Sequence, residues 1–404
     1  MTEPIRILHV HGNVDLGGAE SRVMDLFRHM DREKICFDFM VHTERKGYFE
    51  DEIRDMGGRI FRVPRYRILN DLSYRKAWKA FFREHGEFAA VHGHMTSTAG
   101  IYLPIAKKAG IPITIAHARS AGVDKGLKGM LTGYLRKDLI SKTDHAFACS
   151  TEAAISVFGQ DAYENGRTVF FPNAIECDAF RFDQKVRDKM RKELGIEDRF
   201  VIGHVGRFHY AKNHEYLLSV FARIREFSDK EGFGGTGRVP VLLLVGDGPL
   251  LPEMENLADS FGIRDQVIFA GSKKNVADYY QAMDLFLYPS RYEGMPGTVV
   301  EAQANSLLTI QSDTITKDVI GTDLVKIMSI KEDPETWAKA ASEAAKEALS
   351  LREESAITED ACEKMKEAGF DVAYQAERLI RFYLSGKESF LQGGSSTAKA
   401  VFPS

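Results

Sequence analysis

Glu293 and Glu301 stand eight residues apart and frame the run Glu293-Gly-Met-Pro-Gly-Thr-Val-Val-Glu301. Gly294, Pro296 and Gly297, with Met295 among them, favour a tight turn that runs into a helix. Proline is tolerated in the first helical turn, and glycine lets a backbone approach a ligand closely. A helix N-terminus carries unpaired amides and roughly half a positive charge, so the turn suits a diphosphate. Glu301, roughly two turns further on, is placed to accept hydrogen bonds from ribose hydroxyls. Glu293 is left to face whatever the diphosphate carries. Two glutamates at this spacing also describe an ordinary surface helix, so the rest of the chain decides between the readings.

Short apolar strands alternate with longer amphipathic stretches, the pattern of parallel α/β sheets covered by helices on both faces. It runs twice. Strands are predicted at 5–11, 37–42, 59–63, 89–93, 113–116, 145–148 and 168–171, then at 201–205, 241–245, 266–269, 285–287 and 307–310. Helices are predicted near 19–30, 49–56, 74–84, 98–109 and 126–139, in the charged stretch before 201, and after Asn213, Leu250, Val276 and Pro296. The expectation is α/β, with two Rossmann-like doubly wound parallel-sheet domains, 1–180 and 181–370, facing a cleft. A helix over 371–387 is expected to pack back toward the first domain, and 388–404 to form a mobile Gly/Ser/Ala-rich tail. Ligands of open parallel sheets bind at the carboxyl ends of the strands, and the remaining motifs lie there.

After the first strand, Gly12-Asn-Val-Asp-Leu-Gly17-Gly18 ends a loop and opens a helix, which suits a backbone contact with phosphate or an incoming acceptor. His117 follows the strand 113–116, so its ring is expected at that strand's end. In His92-x-His94, period-two geometry puts both rings on one face, as a metal would require. No carboxylate or cysteine completes a ligand set, and hydrogen-bonding roles are favoured. In the second half, Gly206-Arg207 follows a strand, with Lys212 just before a helix expected to be capped by Asn213. Arg207 can hold a phosphate bidentately, with Lys212 as a point charge. Gly246-Asp-Gly248 supplies another glycine turn and lacks the third glycine of a dinucleotide fingerprint, which argues against a dehydrogenase. There is no Asp-x-Asp and no phosphate-loop lysine motif.

The chain has 404 residues, 44% hydrophobic and 28% charged, enough for two or more globular domains. No apolar run reaches the roughly 18 residues that cross a bilayer, and the N-terminus enters a strand at once, so a cytoplasmic protein is expected. Cys36, Cys149, Cys177 and Cys362 show no zinc or disulfide spacing and read as reduced thiols. The net charge of −4 divides unevenly: residues 1–172 carry 25 basic against 21 acidic side chains, and 173–404 carry 29 against 37. Eight basic residues, Arg59, Arg62, Arg65, Arg67, Arg75, Lys76, Lys79 and Arg83, crowd one segment, with Tyr66, Tyr74, Trp78, Phe81 and Phe82 among them. That segment suits either an anionic membrane surface or a solvated basic helix with an apolar core face. A pI near 6.3 and the lack of a nucleic-acid module argue against nucleic acid as a partner.

Taken in order, Gly17-Gly18, His117, Pro172-Asn-Ala-Ile-Glu176, Gly206-Arg207 with Lys212-Asn213, Gly246-Asp-Gly248, and Glu293-Gly294 through Glu301 resemble the retaining glycosyltransferases of family four, of GT-B fold. The chain is similar in particular to the bacterial exopolysaccharide and capsule branch, over nearly all of residues 4–385. The resemblance implies that a hexose or N-acetylhexosamine moves from a nucleotide-sugar, expected to be UDP-linked, to a growing lipid-linked glycan. It implies no metal and no cofactor. Arg207 and Lys212 would hold the diphosphate, Glu293 the sugar and Glu301 the ribose. His117 would lie beside the reacting sugar, with Gly17 and Gly18 lining the first domain's side. The chain departs from the family pattern at Ser306 and Leu308, where Gly-x-Pro is usual, and at Asp318, where glutamate is usual. Asn305 is expected to supply the left-handed helix end in place of the missing glycine. Two alternatives stay open: a UDP-sugar 2-epimerase of the same fold, and a degenerate nucleotide-sugar-binding protein.

Overall fold

Apolar runs that are uniform rather than alternating belong to strands buried on both faces, and here they fold into two parallel sheets. A computed structural model of the chain describes residues 3–119, 127–226, 228 and 232–386. Its contacts divide into two units: residues up to Ala174 together with those from Asp371 onward, and Ile175–Phe370. The tail expected over 388–404 lies outside the described residues, as does the start of the helix expected from 126.

In the first unit, β1 (Ile5–His11), β2 (Ile35–Val41), β3 (Ile60–Arg62), β4 (Phe88–Gly93), β5 (Ile113–Ala118), β6 (His145–Ala148) and β7 (Thr168–Phe170) lie in the order β3-β2-β1-β4-β5-β6-β7. In the second, β8 (Arg199–Val205), β9 (Val239–Val245), β10 (Val267–Gly271), β11 (Leu285–Tyr288), β12 (Leu308–Ser312) and β13 (Val325–Met328) lie in the order β10-β9-β8-β11-β12-β13. All neighbours pair in parallel. Both units are doubly wound and Rossmann-like. The strand order reverses between β1 and β4 and between β8 and β11, and loops leaving those strands' carboxyl ends flank the ligand crevice of such sheets.

Each sheet carries an apolar core on both faces. The helix Val372–Ser385 starts at Asp371, whose carboxylate accepts the Tyr374 amide at 2.8 Å. It puts Val372, Ala376, Leu379, Phe382 and Tyr383 into one core with Phe27, Phe37 and Phe147 of the first unit. Burying one such phenylalanine stabilises by about 2–3 kcal/mol. The basic helix Asp71–Glu84 turns Tyr74, Trp78 and Phe82 into the core, so those aromatics fill the interior. Arg59, Arg62 and Arg75 pair with carboxylates, while Ile68, Leu69 and Leu72 are 65%, 101% and 84% exposed. Among the described residues no helix is long and apolar enough to cross a membrane. The four cysteines are buried and unbridged.

Several local expectations are corrected. β5 runs two residues longer than expected, through Ala118, so His117 is its penultimate residue, in register with Phe147 and still at the strand's carboxyl end. Asn213 is left-handed (φ 59°) and its amide donates to the Pro289 carbonyl at 3.0 Å, leaving no side-chain cap for the helix His214–Glu226. After the helix Gly297–Ala304 it is Ser306 that is left-handed, at φ 58°, while Asn305 stays at −84°. Asn305 instead spends its side chain on the Phe180 carbonyl and the Arg352 guanidinium.

Candidate active site

In the second unit the loops leaving β8, β9 and β10 enclose a cavity of about 510 Å³. Gly206, Arg207, Gly246, Asp247, Gly248, Ser272, Lys273 and Glu301 line it. Gly246 and Gly248 adopt φ of 148° and 158°, and a Cβ on them would stand 2.1 Å from the Gly206 carbonyl oxygen and 2.4 Å from that of Phe208. These two glycines let one loop pack directly on the backbone of the other. The Phe208 amide then donates to the Asp247 carbonyl at 3.0 Å, which fixes the backbone around Arg207. The Arg207 side chain is exposed and has no hydrogen bond or ion pair among the described residues. A free guanidinium over a cavity that also holds Glu301 is equipped to grip a phosphate.

Lys212 is held differently. Its ammonium lies 2.7 Å from Glu293 Oε1, donates to the Tyr288 hydroxyl, and sits 4.8 Å from the centre of the Tyr288 ring. Burial would lower its pKa, but Tyr288 and Glu293 outweigh that and hold it above the ordinary lysine value. Arg291 brings the two loops together: its amide donates to Ala211, and its guanidinium donates to the Tyr210 carbonyl and stacks on the Tyr210 ring. Lys212, Glu293 and the turn Gly294, Met295, Pro296 and Gly297 lie outside the lining of the cavity. Lys212 nevertheless abuts it, since a Cβ on Gly206 would be 3.2 Å from its Cδ. Pro296 is the N-cap of the helix that carries Glu301, whose Oε2 accepts from the Tyr280 hydroxyl at 2.9 Å.

The first unit gathers histidines at the carboxyl ends of β1, β4 and β5. His9 and His92 face each other in register. Arg119 Nε donates to His94 Nδ1 at 3.3 Å, which puts the His94 proton on Nε2. That nitrogen lies 3.0 Å from His9 Nδ1, so His9 in turn carries its proton on Nε2. A second chain runs from the Tyr383 hydroxyl to His92 Nδ1 at 2.7 Å, and from His92 Nε2 to His117 Nδ1 at 2.9 Å. Burial first, with neighbouring positive charge adding, drives His9, His92, His94 and His117 well below the ordinary histidine pKa. All four are neutral imidazoles at pH 7. His117 Nε2 and Arg119 Nη2 are buried without a hydrogen bond among the described residues.

His9, His92 and His94 bring ring nitrogens within 4.8 Å of one another, close enough to hold a metal ion. Most of those nitrogens already serve the two hydrogen-bond chains, and the Arg119 cation on His94 opposes a second cation there. Nearby, Gly17 is the N-cap of the helix Gly18–His29. A Cβ on Gly17 would meet Glu20 Oε2 at 2.3 Å, and Glu20 Oε1 lies 3.7 Å from His11 Nδ1. Sequence reasoning missed His9, His11, Arg119, Tyr280, Tyr288, Arg291 and Tyr383. The pair His9-x-His11, spaced like His92-x-His94, was a readable signal. The tyrosines and Arg291 gave none, because their partners are distant in the chain.

The model of the glycosyl transferases group 1 matches residues 186–369, and that of the glycosyl transferase 4-like domain matches 17–174. EpsF of Bacillus subtilis (strain 168), named as a glycosyltransferase, is 32% identical over 383 residues, covering 94% of this chain and 96% of EpsF. The capsular polysaccharide biosynthesis glycosyltransferase CapH of Staphylococcus aureus is 22% identical, covering 83% and 89%. Among solved structures, Anabaena Alr3699/HepE in complex with UDP superposes with a TM-score of 0.71 at 16% identity, covering 95% of this chain and all of that one. Neither the topology nor these relatives favour an epimerase. The chain belongs to the family-four glycosyltransferases, enzymes of GT-B fold that move a sugar from a nucleotide-sugar donor.

Proposed function

We propose that this enzyme transfers a hexose or N-acetylhexosamine from a UDP-sugar, with retention and without a metal, to a growing lipid-linked glycan of an exopolysaccharide or capsule. The observation that carries the reading is Arg207, an unpaired guanidinium in a cavity shared with Gly206, Gly246, Gly248 and Glu301. Arg207 and Lys212 neutralise the charge that builds on the departing diphosphate, supplying in fixed cations what a metal supplies elsewhere. Glu301 takes the ribose and Glu293 the donor sugar. The acceptor hydroxyl attacks from the leaving-group face: its oxygen bonds the anomeric carbon, the bond to the diphosphate breaks, and a diphosphate oxygen takes the proton. His117, Gly17 and Gly18 serve the acceptor side. The UDP preference is supported by the UDP complex of the structural neighbour, and the polysaccharide setting by CapH.

Titration calorimetry with UDP, GDP and ADP, without added metal, tests the donor site. UDP is expected to bind selectively and Arg207→Ala to weaken it about 10- to 100-fold, the loss of charge-assisted hydrogen bonds worth about 1.5–3 kcal/mol. Failure to bind any nucleotide favours the degenerate-protein alternative. A lipid-linked acceptor requires approach to a membrane, and exposed Ile68, Leu69 and Leu72 beside Arg65, Arg67, Lys76 and Lys79 offer the surface for it. Co-sedimentation with anionic vesicles at low salt is expected, and Leu69→Asp with Leu72→Asp is expected to abolish it. Equal sedimentation of both proteins rejects this surface.

A further inference from the structure

A second charged cavity, of about 340 Å³, lies at the other edge of the second unit's sheet. Asp284 immediately precedes β11, Arg199 begins β8 and Arg238 immediately precedes β9, so this is the amino-terminal edge, away from the Arg207 cavity. Arg187, Arg191, Lys192, Arg238 and Arg352 line it, together with Asp188 and Glu197. Three of the arginines, Arg187, Arg191 and Arg352, are only 5%, 4% and 3% exposed, and among the described residues Asp284 is the one fully buried carboxylate bonded to any of them. Their other partners are uncharged: Arg191 also donates to the Glu197 and Arg199 carbonyls, Arg352 to the Asn305 carbonyl and side-chain oxygen, and the rest of their bonds go to backbone carbonyls at and beyond the end of the helix Val276–Ala282. Arg187 donates to Gln281 and Met283, Arg191 to Ala282, and Arg352 to Tyr280 and Met283. A helix end offers only about half a negative charge. Three buried guanidiniums face one buried carboxylate, Asp284, while exposed Lys192 and half-buried Arg238 stand with exposed Asp188 and Glu197, which leaves the buried set a formal excess of two positive charges. Lys192 and Arg238 have no side-chain hydrogen bond or ion pair among the described residues. Buried positive charge in excess is costly unless an anion compensates it. Burial, with repulsion from Arg187, already depresses Arg352 well below the ordinary arginine range.

We propose that this cavity is a second anion site, which takes a small soluble molecule bearing a phosphate dianion or diphosphate. Tyr280 ties it to the donor cavity. Arg352 Nη2 holds the Tyr280 carbonyl at 3.1 Å, and the Tyr280 hydroxyl holds Glu301 at 2.9 Å. Occupancy of one cavity therefore bears on the carboxylate assigned to the ribose in the other, a step that rests on the donor reading above.

Calorimetry of the full chain with inorganic pyrophosphate, without metal, tests the proposal on three proteins: the unaltered chain, Arg207→Ala, and Lys192→Ser with Arg238→Ser. The two residues of the double variant lie at the cavity lining without partners, so the fold is expected to persist, with an unchanged circular dichroism spectrum. Two sites are expected on the unaltered chain. One remains in Arg207→Ala, and in the double variant the second site weakens about tenfold or more. Two undiminished sites in the double variant, or a single site that Arg207→Ala removes, overturn the proposal. If Arg207→Ala keeps both sites and the double variant loses one, the second site stands and the donor assignment of Arg207 fails.

Discussion

Lys212 and Arg207 are both cations at the end of β8, yet only Lys212 is already paired, with Glu293 and Tyr288. A diphosphate that recruits Lys212 must compete with Glu293, whereas Arg207 is free at once. Glu293→Gln removes the competing charge and is expected to leave UDP affinity unchanged or tighter by a few-fold while transfer falls steeply, since the proposed sugar contact is altered. Lys212→Ala is expected to weaken UDP by about tenfold and to lower transfer further, in line with about 1.5–3 kcal/mol for a charged hydrogen bond. Binding and turnover measured on both variants separate the roles; UDP affinity lost in Glu293→Gln contradicts them. These residues were legible because charged side chains and glycines at strand ends have few other uses. The Lys212–Glu293 pair was not legible, because 81 residues separate its members and Arg291 and Tyr288, which position them, look like ordinary loop and strand residues.

The elements were read well where apolar runs are continuous and poorly where they are short or half-exposed. β1 and β6 have the expected bounds because their flanks change character sharply, whereas β13 (Val-Lys-Ile-Met) is a short edge strand with no apolar run to announce it. The helix Pro334–Glu353 was overlooked although its start is written plainly: Asp333 caps the Thr336 amide at 2.7 Å and Pro334 takes the first helical position. The end of the helix Gly297–Ala304 shows the opposite error, a signal given to the wrong residue. Asparagine has the better left-handed preference, but Asn305 is needed by Arg352 and Phe180, so Ser306 takes the strain. A left-handed non-glycine residue costs roughly 1–2 kcal/mol. Ser306→Gly and Ser306→Ala both remove the hydroxyl and only glycine relieves the backbone. The glycine variant is therefore expected to be more stable than the alanine variant by about 1 kcal/mol, after glycine's greater unfolded-state freedom is subtracted. Equal denaturation midpoints would refute that account of the helix end.

At the scale of the whole molecule, the two units differ in how much neutral imidazole they bury. Six histidines of the first unit, His9, His11, His42, His92, His94 and His117, have pKa values lowered chiefly by burial. In the second unit only His204, at about 4, and His214, at about 2, do so among the described residues. A histidine that stays neutral when folded binds no proton until well below its unfolded value, while the unfolded chain takes one up near pH 6.5. The unfolded state therefore holds more protons, and stability falls as pH drops below about 6.5, by up to about 1.4 kcal/mol per pH unit for each such group. Four histidines held well below the ordinary value, with His11 and His42 also lowered, against two make the first unit the acid-sensitive one. Trp78 lies in the core of the first unit and Trp337 in that of the second, and the chain has no other tryptophan. Urea unfolding followed by fluorescence, in Trp337→Phe for the first unit and Trp78→Phe for the second, reads each unit separately. Between pH 7.5 and 5.5 the Trp78 midpoint is expected to fall well ahead of the Trp337 midpoint. Parallel shifts would mean that the hydrogen-bonded chains through His94 and His92 accept protons at little cost, and that the histidine cluster is not held neutral by its burial.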